Sequence, residues 1–245
     1  MTTGTELLQT LEAQLNEIGL STMALKLDEI YNSPDYLTMD KLDLISSILL
    51  PEYQDKISKR INNRLRNAHL IGTPCDIESC VDSAERHYEP QDSPTILSSL
   101  KFIENGLNVC ILGPSDSGKT YLAKALGVAA CEKYRVSYNR FDEMLEGLVY
   151  EKAEDYKKYS RHVSRIMNIH LLIIDDFLLN TVADEREIKI LLEILEKRIE
   201  LNRSTVVCSQ REPDSWKAMI MNDEVSANAI LKRVTKHYLV VIQPK

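Results

Sequence analysis

The chain has 245 residues, of which 44% are hydrophobic and 27% are charged, and its formal net charge is -7. These values are typical of one or two globular domains with a proper core, and they argue against a surface that coats nucleic acid nonspecifically over its whole area. The sequence lacks both an apolar run of the ~18 residues that a membrane span needs and the N-terminal pattern of a secretory signal. The five cysteines are scattered and odd in number, so we expect reduced thiols in the cytoplasm.

The first part of the chain has the apolar spacing of helices and no alternating strand pattern. The predicted helices cover 5–19, 22–31 and 39–69. We expect the last of them to be interrupted near Pro51, because proline removes a helical hydrogen bond. Residues 1–71 are therefore predicted to form a small helical domain. Residues 72–94 hold Gly72, Pro74, Pro90 and Pro94, with Asp and Ser between them, which is typical of a linker.

From residue 95 onward, short apolar runs alternate with helical segments. The predicted strands cover 108–112, 136–138, 170–175, 204–209 and 237–242. The predicted helices cover 121–129, 141–150, 153–167, 184–201, 213–221 and 224–234. Strands that alternate with helices favour a parallel sheet covered on both faces, so we predict an α/β domain at 95–245.

A phosphate-binding loop is the strongest local signal in the chain. Residues 113–120, Gly-Pro-Ser-Asp-Ser-Gly-Lys-Thr, match the pattern G-x-x-x-x-G-K-S/T between a predicted strand and a predicted helix. The backbone N–H groups of such a loop and the helix N-terminus bind phosphate. Lys119 is predicted to reach the outer phosphates and Thr120 to bind Mg2+, so ATP and Mg2+ are the expected ligands. An ordinary glycine-containing turn is the alternative.

The predicted nucleotide-binding residues are Gly113, Pro114, Ser115, Asp116, Ser117, Gly118, Lys119, Thr120 and Tyr121. Asp116 is unexpected in this set, because a carboxylate repels the phosphates that the loop is built to hold. We therefore expect its side chain to point away from the nucleotide.

Two acids end the apolar strand predicted at 170–175, and ATP hydrolysis needs groups of this kind. Asp175 is predicted to hold magnesium, and Asp176 to orient the attacking water. Because the carboxyl ends of parallel strands face the ligand, these acids and Gln210 are expected to lie near the loop. Gln210 is a candidate γ-phosphate sensor, with a polar turn as a nearly equal alternative. Arg233 is a candidate arginine finger, with a solvated surface charge as its alternative.

Two basic stretches are candidates for contact with nucleic-acid phosphates. One lies in the helical domain, and the other lies on the helix predicted at 153–167, where basic residues recur at i, i+4 spacing. The candidate DNA-binding residues are Lys56, Lys59, Arg60, Arg64, Arg66, Lys157, Lys158, Arg161 and Arg165. A solvated charged face is an equal alternative for the second stretch, because acids accompany it. Such contacts would tolerate any sequence, since phosphates carry no base information.

Several segments together resemble the IstB/DnaC-type family of AAA+ ATPases, and specifically its IstB-like transposition helpers. They are 108–123 around the phosphate loop, 171–177 with the two acids, 209–216 (Ser-Gln-Arg-Glu-Pro-Asp-Ser-Trp), 227–233 and the basic stretch 61–70. The phosphate loop alone identifies only the superfamily, whereas 210–216 and the N-terminal stretch favour the IstB-like branch. The resemblance covers nearly the whole chain.

The resemblance implies an AAA+ domain behind a helical domain, and an ATPase that assists DNA transposition. The implied partners are duplex DNA, a cognate transposase and further copies of the chain, with ATP between the subunits of a ring or spiral and no membrane. By position it implies phosphate and magnesium binding for Lys119 and Thr120. The resemblance also implies that Asp175 is the acid that binds magnesium and that Asp176 is the acid that orients water. It implies that Gln210 senses the γ-phosphate and that Arg233 is an arginine finger that acts on the nucleotide of a neighbouring subunit.

Three positions depart from the family pattern. Asp116 stands where Gly is usual, and Lys232 precedes Arg233 where Asp is common. Asp176 is one methylene shorter than the common Glu, which predicts slow hydrolysis. A DnaC-like helicase loader and a P-loop small-molecule kinase are the alternatives to a transposition helper.

Overall fold

The computed structural model describes residues 4–83 and 86–244, and the chain forms two compact units, Met1–Asn63 and Arg64–Lys245. The first unit is built from α1 (Gly4–Glu17), α2 (Ser21–Tyr31) and most of α3 (Lys41–Asn67). These helices confirm the predicted helical start of the chain. No helix in the described ranges has the length and apolarity needed to cross a bilayer.

Helix α3 runs through Pro51, so the predicted interruption is wrong. Proline removes a single N–H donor, and a long helix keeps its other hydrogen bonds. The neighbouring Glu52 is buried and accepts a hydrogen bond of 2.9 Å from the backbone N–H of Met23. Lys56 donates to the Gly19 carbonyl and lies 3.5 Å from Glu52. These contacts hold α3 against the start of α2 and against the turn between α1 and α2.

The second unit contains a six-stranded sheet. Its strands are β1 (Arg86–Glu89), β2 (Val109–Leu112), β3 (Val136–Arg140), β4 (Leu171–Asp175), β5 (Ser204–Ser209) and β6 (Tyr238–Pro244). Their order is β1-β6-β2-β5-β4-β3, with β6 to β3 parallel and β1 antiparallel to β6. The five parallel strands are the five that the apolar runs predicted, so the α/β fold is confirmed.

Strand β1 corrects the predicted linker at 72–94. Tyr88 of β1 is fully buried and pairs with Ile242 of β6, and α4 (Ser93–Ser98) begins within the same stretch. A strand of four residues is too short to show a period, and its partner lies at the far end of the chain. The prolines around it gave the local signal of a loop.

Helices cover both faces of the sheet, as expected for parallel strands. They are α5 (Lys101–Glu104), α6 (Lys119–Ala130), α7 (Phe141–Glu154), α8 (Tyr156–Asn168), α9 (Glu185–Glu200), α10 (Trp216–Met219) and α11 (Glu224–Val234). One core joins α7, α8, α9 and α11 to one face, and a second core joins α4, α5 and α6 to the other. The helix predicted at 213–221 is a short 3-10 turn, Pro213–Ser215, followed by α10.

A fully buried arginine, which could not be predicted from the sequence, lies on the inner face of α9. Arg198 donates to Thr205 Oγ1 at 2.9 Å and to the carbonyls of Ile166 and Ile169 at 2.6 and 3.0 Å. It also donates to the Ser204 carbonyl. Burial lowers the pKa of Arg198 to about 9, so the guanidinium stays charged at neutral pH. One side chain thus joins α9 to the end of α8 and the start of β5.

Candidate nucleotide site

The phosphate loop connects β2 to α6 and depends on two glycines for its shape. A Cβ on Gly113 would lie 2.3 Å from the Ile242 carbonyl oxygen, and one on Gly118 would lie 2.5 Å from the Arg86 guanidinium carbon. Gly118 also has a φ of 97°, which L side chains rarely adopt. The loop therefore packs tightly against β6 and against Arg86 of β1, a residue that the sequence analysis missed.

Replacing Gly113 by alanine is expected to lower the free energy of unfolding by about 3 kcal/mol, because the new methyl group meets rigid backbone. The matched control is Gly147→Ala in α7, where a Cβ meets nothing within 4 Å. That variant should gain up to ~1 kcal/mol from helix propensity. Urea denaturation measures both changes. Equal stabilities of the two variants would contradict the tight packing of the loop.

Lys119, the first residue of α6, places its amine inside the loop. Its Nζ donates to the Pro114 carbonyl at 2.5 Å and lies 3.5 Å from Ser117 Oγ. Burial lowers the pKa of Lys119, and the nearby charges of Asp175 and Asp176 oppose that shift. A buried cation in a glycine-shaped loop at a helix N-terminus fits the phosphates of a nucleotide.

Asp175 ends β4 and is held by a tyrosine from the neighbouring strand. The Tyr138 hydroxyl of β3 donates to Asp175 Oδ2 at 2.6 Å, and the Asp176 backbone N–H donates to Oδ1 at 3.1 Å. Burial and the carboxylate raise the pKa of Tyr138, so the tyrosine remains a donor. Tyr138 thus fixes the carboxylate that is predicted to bind Mg2+. This contact could not be predicted from the sequence, since only the strand order brings Tyr138 to Asp175.

Asp176 differs from Asp175 in exposure and backbone shape. Its side chain is 29% exposed and lies 3.8 Å from Arg140 Nε. Its φ of 55° is in the left-handed region, which turns the chain sharply after β4. One acid is therefore buried and oriented, and the next reaches solvent at the same edge of the sheet. This arrangement suits the two separate roles predicted for them.

Aromatic packing fixes the loops that follow β4 and β5. The ring centroid of Phe177 lies 4.9 Å from the ring centroid of Phe141 and 5.1 Å from that of Trp216. Ser209 Oγ donates to the Phe177 carbonyl at 2.8 Å, and Trp216 Nε1 donates to the Arg211 carbonyl at 3.1 Å. Gln210 lies exposed between these anchors at the end of β5. Gln210 therefore lies at the same edge of the sheet as the phosphate loop, Asp175 and Asp176.

Two other predicted site residues have partners away from the loop. The Tyr121 hydroxyl accepts a hydrogen bond from the backbone N–H of Asp76 at 3.3 Å. Arg233 of α11 donates to the Ala229 carbonyl at 2.7 Å and pairs with Glu196 of α9. Within its own chain, Arg233 is thus held by an acid at a partly exposed position, so its role as a finger stays a prediction.

Among the DNA-binding candidates of the first unit, two lysines have acidic partners. Lys59 lies 2.6 Å from Asp55, and Lys56 has the contacts to Gly19 and Glu52 described above. Arg60 is exposed on the same helix.

In the second unit, the candidates on α8 differ in their partners. Lys158 lies 3.1 Å from Glu151, whereas Lys157, Arg161 and Arg165 are exposed. Arg66 is also exposed, and it interacts with another part of the chain. Arg64 donates to the carbonyls of Cys131 and Glu132 at the end of α6, at 3.2 and 2.6 Å.

Comparison with known proteins adds relatives to this geometry. The family model described as IstB-like ATP binding protein matches residues 13–243. The insertion sequence ATP-binding protein y4uH of Sinorhizobium fredii is 33% identical, over 90% of this chain and 86% of its own length. The IS232 ATP-binding protein of Bacillus thuringiensis subsp. berliner is 29% identical, over 95% of this chain and 91% of its own. The corresponding IS21 protein of Pseudomonas aeruginosa is 24% identical over 93% and 83%.

Solved structures match the fold. AMPPCP-bound DnaA from Aquifex aeolicus superposes with a TM-score of 0.56 and 19% identity, over 70% of this chain and 50% of its own. The DnaC helicase loader gives a TM-score of 0.54 and 15% identity, over 69% and 97%. This chain spans half the length of the DnaA chain, and identities this low show a shared fold alone. Because the family model spans nearly the whole chain, the protein belongs to the IstB-like ATP-binding protein family.

Proposed function

We propose that the protein is an ATPase that assists DNA transposition by assembling on duplex DNA with ATP and regulating a cognate transposase and its choice of target. The observation that carries this proposal is a complete phosphate loop beside Asp175 and Asp176, in a chain whose relatives are named as insertion sequence ATP-binding proteins.

The residues of this chain have distinct tasks in ATP hydrolysis. The loop backbone and Lys119 hold the phosphates, while the Thr120 hydroxyl and the Asp175 carboxylate are the groups that would hold Mg2+. Mg2+, when bound, neutralises phosphate charge. Tyr138 keeps Asp175 in one orientation through its 2.6 Å hydrogen bond. Asp176 would accept a hydrogen bond from the attacking water, with Arg140 limiting the directions in which its carboxylate turns.

Assembly would bring Arg233 to the nucleotide of a neighbouring subunit. Its guanidinium now rests on Glu196, so acting in trans means exchanging one carboxylate for the more highly charged phosphates. The first unit also leaves large apolar side chains exposed, which is common at surfaces that contact partner proteins. They include Leu25, Leu37, Leu42 and Ile45. We propose this surface for contact with other subunits or with the transposase.

The test measures particle mass and duplex-DNA binding together, with ATP and Mg2+ and without nucleotide. We expect a large ATP-dependent assembly on duplex DNA for the natural protein. Arg233→Ala should lose the assembly while single chains still bind nucleotide. Lys189→Ala is the matched control, because it removes the cation of another ion pair of α9, Lys189–Glu185.

This measurement, together with assays of helicase binding and of phosphate release, separates the alternatives. A particle that stays monomeric and ignores duplex DNA in both conditions would refute the proposal. Preference for single strands together with helicase binding would instead indicate a loader, the named function of the DnaC whose fold is shared. A small-molecule kinase would release no inorganic phosphate from ATP alone, and would instead transfer the phosphoryl group to an added acceptor.

A further inference from the structure

A second concentration of positive charge lies at the edge of the sheet opposite the phosphate loop. There, a cavity of about 320 Å³ opens beside the starts of β3 and β4. Its polar lining consists of Arg64, Asn67, Arg135, Ser137, Arg165 and Asn168. No acidic residue is among the described residues that line it. In a chain with a net charge of -7, three arginines around one acid-free cavity are unexpected.

Three separate segments of the second unit build this arginine pocket. Arg64 comes from the end of α3, Arg135 immediately precedes β3, and Arg165 lies in the last turn of α8. The hydrogen bonds from Arg64 to the Cys131 and Glu132 carbonyls use one end of its guanidinium and fix its orientation. Asn and Ser side chains between the arginines add uncharged hydrogen-bonding groups. The lining is therefore made of groups that can bind an anion.

Helix ends explain only part of this cluster. Helices α3, α6 and α8 all end at this edge, and the carbonyls at a helix C-terminus attract cations. That attraction accounts for Arg64, which bonds two such carbonyls. It can also favour Arg165 in the last turn of α8, but it does not account for Arg135, which lies outside these helices. No hydrogen bond or ion pair engages the side chains of Arg135 and Arg165 within 4–83 and 86–244. Two positive charges therefore remain available to a ligand.

The positive charge of the pocket also affects the pKa of a neighbouring histidine. His170 immediately precedes β4, and its Nδ1 lies 3.4 Å from the backbone nitrogen of Arg135. Burial lowers the pKa of His170, and the positive charges of Arg203, Arg135 and Arg64 lower it further. Two of the arginines that act on this histidine, Arg64 and Arg135, also line the pocket.

We propose that the arginine pocket holds a backbone phosphate of duplex DNA, and that the exposed basic row of α8 continues the contact along the same strand. This inference rests on the DNA-binding function proposed above. One guanidinium group can donate two parallel hydrogen bonds to two oxygens of a phosphate, which favours arginine at such a site. Lys157, Arg161 and Arg165 follow one another at four-residue steps. The row is about 12 Å long, enough to contact more than one phosphate of the same strand.

The row also favours a nucleic-acid backbone over a free phosphate ion. A single small anion would occupy the pocket and leave Lys157 and Arg161 without a role. A duplex backbone would use both the pocket and the row, and it would need no base-specific contacts. The pocket and the phosphate loop lie at opposite edges of one sheet, so nucleotide and DNA would not compete for the same residues.

The test measures the affinity for a labelled duplex across a range of salt concentrations, with a non-hydrolysable ATP analogue and Mg2+. The variants are Arg135→Gln, Arg165→Gln and the double variant. Lys189→Gln removes one charge from an exposed position of α9 and is the control. Arg64 is left unchanged because its carbonyl bonds make it structural. We expect the double variant to lose about tenfold or more in affinity, and the slope of log K against log salt to become shallower by about 1, because the pocket holds one phosphate.

Each outcome bears on the inference separately from the proposed function. If the natural protein binds the duplex and the double variant matches it in affinity and slope, the pocket inference fails and DNA binding stands. If the natural protein binds no duplex, both the proposed function and the inference that rests on it fail. Nucleotide binding equal to that of the natural protein shows that the variants are folded.

Inorganic phosphate alone provides the second arm, followed through the NMR signals of the His170 ring. If the pocket binds DNA, we expect inorganic phosphate alone to bind weakly, because one phosphate ion contacts only part of the basic surface. Saturation of the His170 shift at low millimolar phosphate, with duplex affinity unaffected by the variants, would assign the pocket to a free anion and overturn the inference.

Discussion

Lys119→Ala is expected to lower the affinity for ATP about 100-fold, which corresponds to ~2.8 kcal/mol. The amine is buried in the loop, where the Pro114 carbonyl and Ser117 Oγ are its close partners among the described residues. Those neutral groups are weaker acceptors than phosphate oxygens, so the amine gains a charge-assisted hydrogen bond when nucleotide binds. Alanine removes that gain and leaves the backbone cradle in place.

Titration with a fluorescent ATP analogue measures this loss. Lys133→Ala removes the same charge from an exposed position just after α6 and should bind nucleotide normally. The stability of Lys119→Ala should stay close to that of the natural protein, because burying an ammonium group carries a desolvation cost that the variant avoids. An affinity within about threefold of the natural value would show that Lys119 does not contact phosphate.

Arg198→Ala is expected to lower the free energy of unfolding by about 3–5 kcal/mol. The change removes one buried side chain that serves three carbonyls and one hydroxyl, and it leaves a cavity beneath α9. Each buried acceptor that loses its donor costs about 1–3 kcal/mol unless water replaces the donor. The loss should therefore exceed that of an ordinary surface substitution severalfold.

Urea denaturation followed by the fluorescence of Trp216, the single tryptophan, reports on the second unit directly. The control is Arg186→Ala on the same helix, where the side chain is 66% exposed and pairs with Asp184. Exposed pairs contribute about 0–1 kcal/mol, so this variant should change little. Equal midpoints for the two variants would mean that water or a side-chain shift satisfies the buried carbonyls.

The family and the central fold were predictable because their signals are local. The phosphate loop is a contiguous pattern, and the five parallel strands are continuous apolar runs between helical segments. The two acids at 175–176 could be placed beside the loop because parallel strands present the same ends to a ligand. The roles of Gln210, Arg233 and the basic residues stay predictions, since each depends on a partner outside the chain.

Tertiary structure decided everything that depends on contacts between distant segments. Strand β1 exists because β6 pairs with it, and a four-residue strand has no detectable period of its own. Tyr138 reaches Asp175 only because β3 and β4 are neighbours. The sequence does not distinguish the buried Arg198 from an exposed helical arginine. Helical spacing predicts the direction of a side chain, but not which other segment covers it.

The sequence by itself thus determined the superfamily, the α/β class and the chemistry of the phosphate loop, because adjacent residues carry all three. Only the fold joined Arg64, Arg135 and Arg165 in one pocket, and Arg135 was not among the candidates taken from the sequence. The physical reason is that the sheet order sets which helix ends meet. Charges far apart in the chain become one binding surface only when those ends are brought together.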